Sequence, residues 1–321
     1  MTATTDRPVR VHANRPAGRR GAGTGPARVP YAFLTPAIVF FLVFMVVPIG
    51  YTVYLSLRRV KVSGLGLGGG ARREIFAGFA NYIAVLGDSE YWQSALRVLL
   101  YGCLLVPTML GLALTFALLL DLPQARARAF SRIAIFLPYA VPAVIASLMW
   151  GFMYLPSVGP GQYLLTLAGF QPVDLLGTTT IYLAIANIAL WGGTGFNMIV
   201  LCTALRAIPT ELYESARIDG ATEWQIAWRI KIPMLSPALI MTAVFSLIAT
   251  LQVFSEPTTL RPLTNALPSN WTPLMKIYQD AFARDDIYTA AAASIVLAAV
   301  TLVLSFGFLR LVQSRAFGQE G

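Results

Sequence analysis

Charge is scarce in this chain. Only 12% of its 321 residues are Asp, Glu, Lys or Arg, against 56% hydrophobic, and the mean hydropathy is +0.65. A soluble domain is roughly a quarter charged. So few charges cannot cover so much apolar surface in water, which excludes an ordinary soluble domain, a disordered chain and a nucleic-acid domain built on a basic face. Histidine is scarcer still. His12 is alone and stands in a polar stretch, so neither a metal site nor a catalytic triad built on imidazole is expected. Cys103 and Cys202 lie inside apolar runs, form no C-x-x-C pair, and read as small packing residues rather than a disulfide scaffold. The lysines are only Lys61, Lys231 and Lys276, and no Gly-x-x-x-x-Gly-Lys-Ser/Thr occurs. The chain therefore has no P-loop to cradle nucleotide phosphates, and neither an enzyme activity nor a cofactor of its own is expected.

What is present is a set of long intervals free of Asp, Glu, Lys and Arg. A helix crossing the hydrocarbon needs about 20 apolar residues, and six spans are expected, at about 33–56, 97–120, 132–154, 180–205, 237–256 and 288–311. The runs are continuously apolar rather than alternating, which excludes barrel strands. No acidic or basic residue stands at a span centre, which disfavours proton- or sodium-coupled carriers. An even count puts both termini on one side. Residues 1–30 carry six arginines with much Gly, Pro and Ala and read as a disordered cytoplasmic tail. A cleaved signal peptide fits poorly, because the first apolar run is too long. With that end inside, 15 of the 24 basic residues face the cytoplasm, in the sense of the positive-inside rule. Arg58, Arg59 and Lys61 oppose the bias. The body of the protein is expected over 31–315, with a short tail at 316–321. The proline-rich stretch 257–287 is expected to form an ordered cap.

The connection 206–236 is polar yet organised like two short helices. Thr210 is a candidate N-cap, with Glu211 in the first turn. Asp219-Gly220 stops that helix, since Gly tolerates a left-handed C-cap. Thr222 and Gln225 have capping-box spacing, and Trp224 and Trp228 share a helix face. Pro233 is expected to end the second helix and Pro237 to open span 5. Two readings fit: amphipathic helices lying on the lipid surface, or a rigid elbow on which a soluble partner pushes.

Glu214-Ser-Ala-Arg-Ile-Asp-Gly220-Ala followed by Ile230-Lys-Ile-Pro233 resembles the EAA loop of ABC-importer permeases. Ser215 stands where the pattern has its first Ala, and Ala227 where an aromatic is common. Tyr54-Leu-Ser56, Phe79-Ala-Asn81-Tyr82, Phe136-Leu-Pro138 and Trp191 through Glu214 are similar to the carbohydrate subfamily, with its maltose-, trehalose- and glycerol-3-phosphate-type importers. The resemblance implies a type I permease bundle of six helices in a bacterial cytoplasmic membrane, with the EAA loop and both termini cytoplasmic. It implies a sugar or polyol as cargo, and three kinds of partner: a pair of ATP-binding subunits that hold ATP and Mg, a second permease and an external substrate-binding protein. Glu211, Glu214, Ala216, Asp219, Gly220 and Ala221 would then contact the ATPase. A scaffold or channel subunit and an ion-coupled carrier are the alternatives.

Polar and aromatic groups within the spans are the candidates for a substrate pathway: Asn187, Trp191 and Asn197 on span 4, and Gln252 and Glu256 at the end of span 5. Amides suit hydroxyl recognition and an indole can stack on a sugar face. Plain helix–helix hydrogen bonding explains each singly just as well. Gly192, Gly193 and Gly195 signal either close packing or a local unwinding. Arg126, Arg128 and Arg132 read as cytoplasmic anchors.

Overall fold

The structure, a computed structural model, describes residues 28–62 and 72–316. Of the expected tails at 1–30 and 316–321, residues 1–27 and 317–321 lie outside the described residues, whereas 28–30 and 316 are helical and extend the first and last helices. The chain divides into two compact units between Tyr51 and Thr52. The first holds most of helix α1 (Tyr31–Ser56). That helix takes one π turn at Leu42–Val46, just ahead of Pro48. The proline ring clashes with the carbonyl four residues back, and a wider turn relieves it.

The second unit carries the rest. After a hairpin of β1 (Arg58–Val62) and β2 (Arg72–Phe76), antiparallel with Val60 opposite Glu74, come α2 (Ala80–Gly87), α3 (Ser89–Asp121), α4 (Arg128–Phe136), α5 (Ala143–Tyr154), α6 (Pro160–Leu167), α7 (Ile181–Arg206), α8 (Glu211–Ile218), α9 (223–234), α10 (Ser236–Leu251), α11 (Ser255–Leu260), α12 (Pro273–Phe282) and α13 (Ile287–Ala316). Among the described residues the short hairpin is the one pair of strands beside the helices. It is pinned from α2: Asn81 Nδ2 donates to the carbonyls of Ser56 and Arg58 at 2.7 Å each, and Ser56 Oγ meets the Tyr82 hydroxyl at 2.7 Å.

Five helices among the described residues are long and apolar enough to cross a membrane, and a bent pair makes a sixth if both halves count as one span. The expected single helix over 132–154 is instead two, α4 with its 3₁₀ extension to Ala140 and then α5, meeting at 96°. The cause is Pro142. Val141, the residue before it, is driven to extended backbone at φ −80° and ψ 123°, as steric conflict with a following proline requires. The stretch 257–287 does form an ordered cap, built on α11, a 3₁₀ turn and α12 around buried Trp271.

α3 and α7 form the axis of this unit and pack along most of their length. Near Ala113 and Ala117, both fully buried, small side chains let α7 approach closely. The two helices share two cores: one around Val98, Tyr101, Leu105, Ile185 and Trp271, the other around Ala113, Ala117, Met198, Leu201, Tyr213 and Ile226. At 33 residues α3 is a rod of about 50 Å that connects both.

Candidate functional site

Between α3, α7, α10 and the α4–α5 break lies a cavity of about 710 Å³. The break itself forms one wall, through Pro138, Tyr139, Val141 and Pro142. Irregular backbone at membrane depth is tolerated where it lines such a space. Tyr139 and Phe196, both in the lining, stack on each other with ring centroids 4.9 Å apart. Of the expected pathway residues, Asn197, Gln252 and Glu256 line the cavity together. Asn197 is held by the Gly193 carbonyl at 3.1 Å and Met109 Sδ at 3.2 Å. Ser246, Thr250 and Tyr101 join them. Sequence reading passed over Tyr101, because an isolated tyrosine in an apolar run carries no pattern.

Asn187 and Trp191 do not line this cavity. They turn towards α5, where Asn187 Nδ2 donates to the Tyr154 hydroxyl at 2.8 Å and Trp191 sits edge-on to Trp150 at 6.0 Å. None of the three glycines of α7 unwinds the helix, which runs unbroken from Ile181 to Arg206, and two of them, Gly193 and Gly195, resolve as close packing. A Cβ on Gly195 would fall on the backbone of Ile135 and Phe136, and one on Gly193 on the thioether of Met109, while Gly192 faces open space in the cavity wall.

Some way along the same rod, α8 and α9 form the elbow. The chain turns at Gly220 with φ +80°, a left-handed conformation that glycine adopts without steric cost. The capping box of Thr222 and Gln225 is formed, and Arg217 Nε bonds Glu223 Oε1 at 2.8 Å across the turn. That bond raises the Arg217 guanidinium above its ordinary value. Thr210 takes the N-cap position but makes no side-chain cap. Glu211, Glu214, Asp219 and Gly220 are exposed, while Ala216 and Ala221 are half-buried against the second core. Ile218, Trp224 and Trp228 leave large apolar surface uncovered, Ile218 at 86% exposure. Pro233 ends the second helix to within one residue. A π turn at Ala227–Lys231 precedes it and α9 carries on to Met234, the same accommodation seen before Pro48.

That π turn delivers Lys231 inward. Its ammonium is almost fully buried, bonds Asp121 Oδ2 at 2.6 Å and lies 4.9 Å over the Tyr213 ring. Asp121 is the last residue of α3, so the elbow grips the rod that lines the cavity. Burial, with the Asp121 charge nearby, pushes the Tyr213 phenol up to about 12. Arg128 donates to the carbonyls of Leu122, Pro123 and Ala125 just beyond, closing the end of α3 rather than reaching outward.

A second charge cluster ties α12 to the other end of α3. Buried Lys276 meets Asp88 at 2.9 Å, Asp280 at 3.2 Å and Glu90 at 3.6 Å, and Arg284 bonds Asp280 at 2.9 Å. Burial pushes the Asp88 carboxyl up, but Lys276 and the Glu90 backbone N–H outweigh it and hold the group below its ordinary value. Burial likewise pushes the Lys276 ammonium down, and its bonds to Asp88 and Asp280 more than reverse that. Among the described residues no group of three His, Cys, Asp or Glu is placed to hold a metal ion.

Residues 108–318 match the family described as binding-protein-dependent transport system inner membrane component. Among curated proteins the chain is 30% identical, over 89% of its length and 95% of the other's, to the sn-glycerol-3-phosphate transport system permease protein UgpA of Rhizobium meliloti. It is 31% identical, over 90% and 94%, to the trehalose/maltose transport system permease protein MalF of Thermococcus litoralis. Among solved structures it resembles a chain of a bacterial ABC transporter involved in the import of the acidic polysaccharide alginate, with a TM-score of 0.75 at 23% identity over 92% of this chain and 96% of that one.

Proposed function

The chain belongs to the family of binding-protein-dependent transport system inner membrane components, and from that membership we propose that it is the permease subunit of an ATP-driven importer of a sugar or related polyol. UgpA and MalF are named for such cargoes, and the fold matches that of an ABC importer chain. A permease is a transport component rather than an enzyme. In this reading a pair of separate ATPase subunits binds ATP and Mg, a second permease completes the cavity, and an external binding protein delivers the cargo. The elbow and both termini face the cytoplasm of a bacterium.

The observation that carries the mechanism is the grip of the elbow on α3. ATP-driven closure of the ATPase pair would push on Glu211, Glu214, Asp219 and Gly220 and on the apolar face around Ile218. Lys231 would pass that displacement to Asp121, and the rod would carry it to Tyr101, Leu105 and Met109 in the cavity wall. Such coupling requires the ATPase to bind the outward- and inward-open packings with different affinity. Uptake by vesicles containing the whole complex tests this. Strict dependence on ATP at the elbow side is expected. Uptake driven by an ion gradient alone would make the chain a secondary carrier, and facilitated flux with neither would make it a channel subunit.

A further inference from the structure

We infer that the cargo carries no net negative charge: this chain's share of the cavity is built for an uncharged or cationic polyhydroxy compound, with Glu256 reading its charge and Tyr101 meeting one of its hydroxyls. This rests on the reading of the cavity as the substrate pathway. The lining contains one carboxylate, that of Glu256, and no Lys, Arg or His among its described residues. An anion entering a cavity lined mainly by apolar side chains loses hydration, and it is held there only where cations or converging donors replace the lost water. This chain's share of the lining offers no cation among its described residues. An ionised Glu256 repels an anion, and a protonated one brings no positive charge.

The rest of the lining suits an uncharged sugar. The outer face of the stacked Tyr139 and Phe196 pair can take the apolar side of a pyranose, the Gln252 amide offers both donor and acceptor, and Asn197, whose N–H groups are given to Gly193 and Met109, offers Oδ1 as an acceptor. The Tyr101 hydroxyl points the same way. It is buried, 2% exposed, in the cavity wall, and has no hydrogen-bond partner among the described residues. An orphaned buried hydroxyl is costly unless something completes it. A small side-chain movement that opens this sealed oxygen to the cavity would let a cargo hydroxyl complete it. The volume lies within the roughly 300–1,000 Å³ range typical of small-molecule sites. A phosphate ester, the cargo named for UgpA, has no counter-charge here, whereas an uncharged disaccharide, the cargo named for MalF, needs none.

The test uses the whole complex with its cognate binding protein. That protein is first screened against trehalose, maltose, glucosamine, glucuronate and glycerol 3-phosphate. ATP-driven uptake of each is then compared at equal occupancy of the binding protein. The tightest ligand is expected to be uncharged or cationic, with anions taken up at least tenfold more slowly. Glu256→Gln should narrow the ratio of trehalose to glucuronate uptake at least threefold, whatever it does to either rate. Tyr101→Phe should weaken uptake of trehalose while the complex still assembles. A binding protein that prefers an anion, anion uptake at the trehalose rate, or a charge ratio untouched by Glu256→Gln overturns the inference and leaves the importer reading standing. The expected charge preference in uptake that needs no ATP does the reverse.

Discussion

At the scale of single residues the most consequential pair is Lys231 and Asp121, because the two are unequally buried. The Lys231 side chain is 3% exposed and that of Asp121 25%. Removing one partner strands the other, and a charge stranded in the interior costs more than one that reaches water. Asp121→Asn, which strands Lys231, should therefore destabilise the complex by about 3 kcal/mol, and Lys231→Met, which strands the more exposed Asp121, by less. The melting midpoints of the two variants in detergent rank them, and equal losses would mean that the burial asymmetry has no energetic weight. Gly220 is a different case. A Cβ there meets nothing within 4 Å, so a substitution costs only the strain of φ +80°, on the order of 1–2 kcal/mol for an ordinary L-residue and less for Asn. Gly220→Val should keep the complex assembled while cutting ATP-driven uptake at least tenfold, and Gly220→Asn should retain most of it. Uptake assays on both variants check this. Gly220 was legible from the sequence because Asp-Gly after a helical run has one common meaning. The Lys231–Asp121 pair was not, since 110 positions separate its members and no local pattern joins them.

At the scale of elements, the caps and clamps set what holds still. The Thr222 capping box fixes the start of α9, and Thr222→Ala should cost about 1 kcal/mol locally, seen as faster amide exchange over 223–226 with the rest of the chain unchanged. The Asp88–Lys276 cluster clamps α12 to α3. The lowered Asp88 value means its contribution is present above its unfolded value, about 3.9, and is lost as pH falls through the lower folded value. The raised Lys276 value means its contribution is present below about 10.4 and is lost as pH rises through the higher folded value. The clamp should therefore be constant across the neutral range. Asp88→Asn should lower the melting midpoint throughout that range, with the gap to wild type closing below about pH 4. Thr222 and Gln225 could be read from their spacing. The helix endings at prolines could not all be read, because a proline inside an apolar run has more than one outcome. Pro142 breaks the chain through Val141, whereas Pro48 is absorbed by a π turn and Pro233 follows one and ends α9 to within one residue. Which outcome occurs depends on the packing around each site.

At the scale of the whole molecule, a long rod joins a cavity to a lever. Composition and the run of apolar intervals were enough to read the helical membrane class, and the elbow motif was enough to read the family. The cavity was only half legible. Asn197, Gln252 and Glu256 converge on it, but Asn187 and Trp191, equally polar or aromatic on the same helix, face α5 instead. The mean composition of a helix says little about which residue faces which neighbour when lipid and protein interior are both apolar. The claim on which the mechanism depends is that an ATPase grips the exposed elbow. A photo-cross-linking residue in place of Ile218, in the assembled complex, measures that contact directly. The account predicts an adduct with the ATPase subunit whose yield changes between the nucleotide-free and ATP-bound states. A complex that transports cargo yet gives no such adduct, or an Ile218 position labelled by a membrane-impermeant reagent from outside the cell, would contradict it.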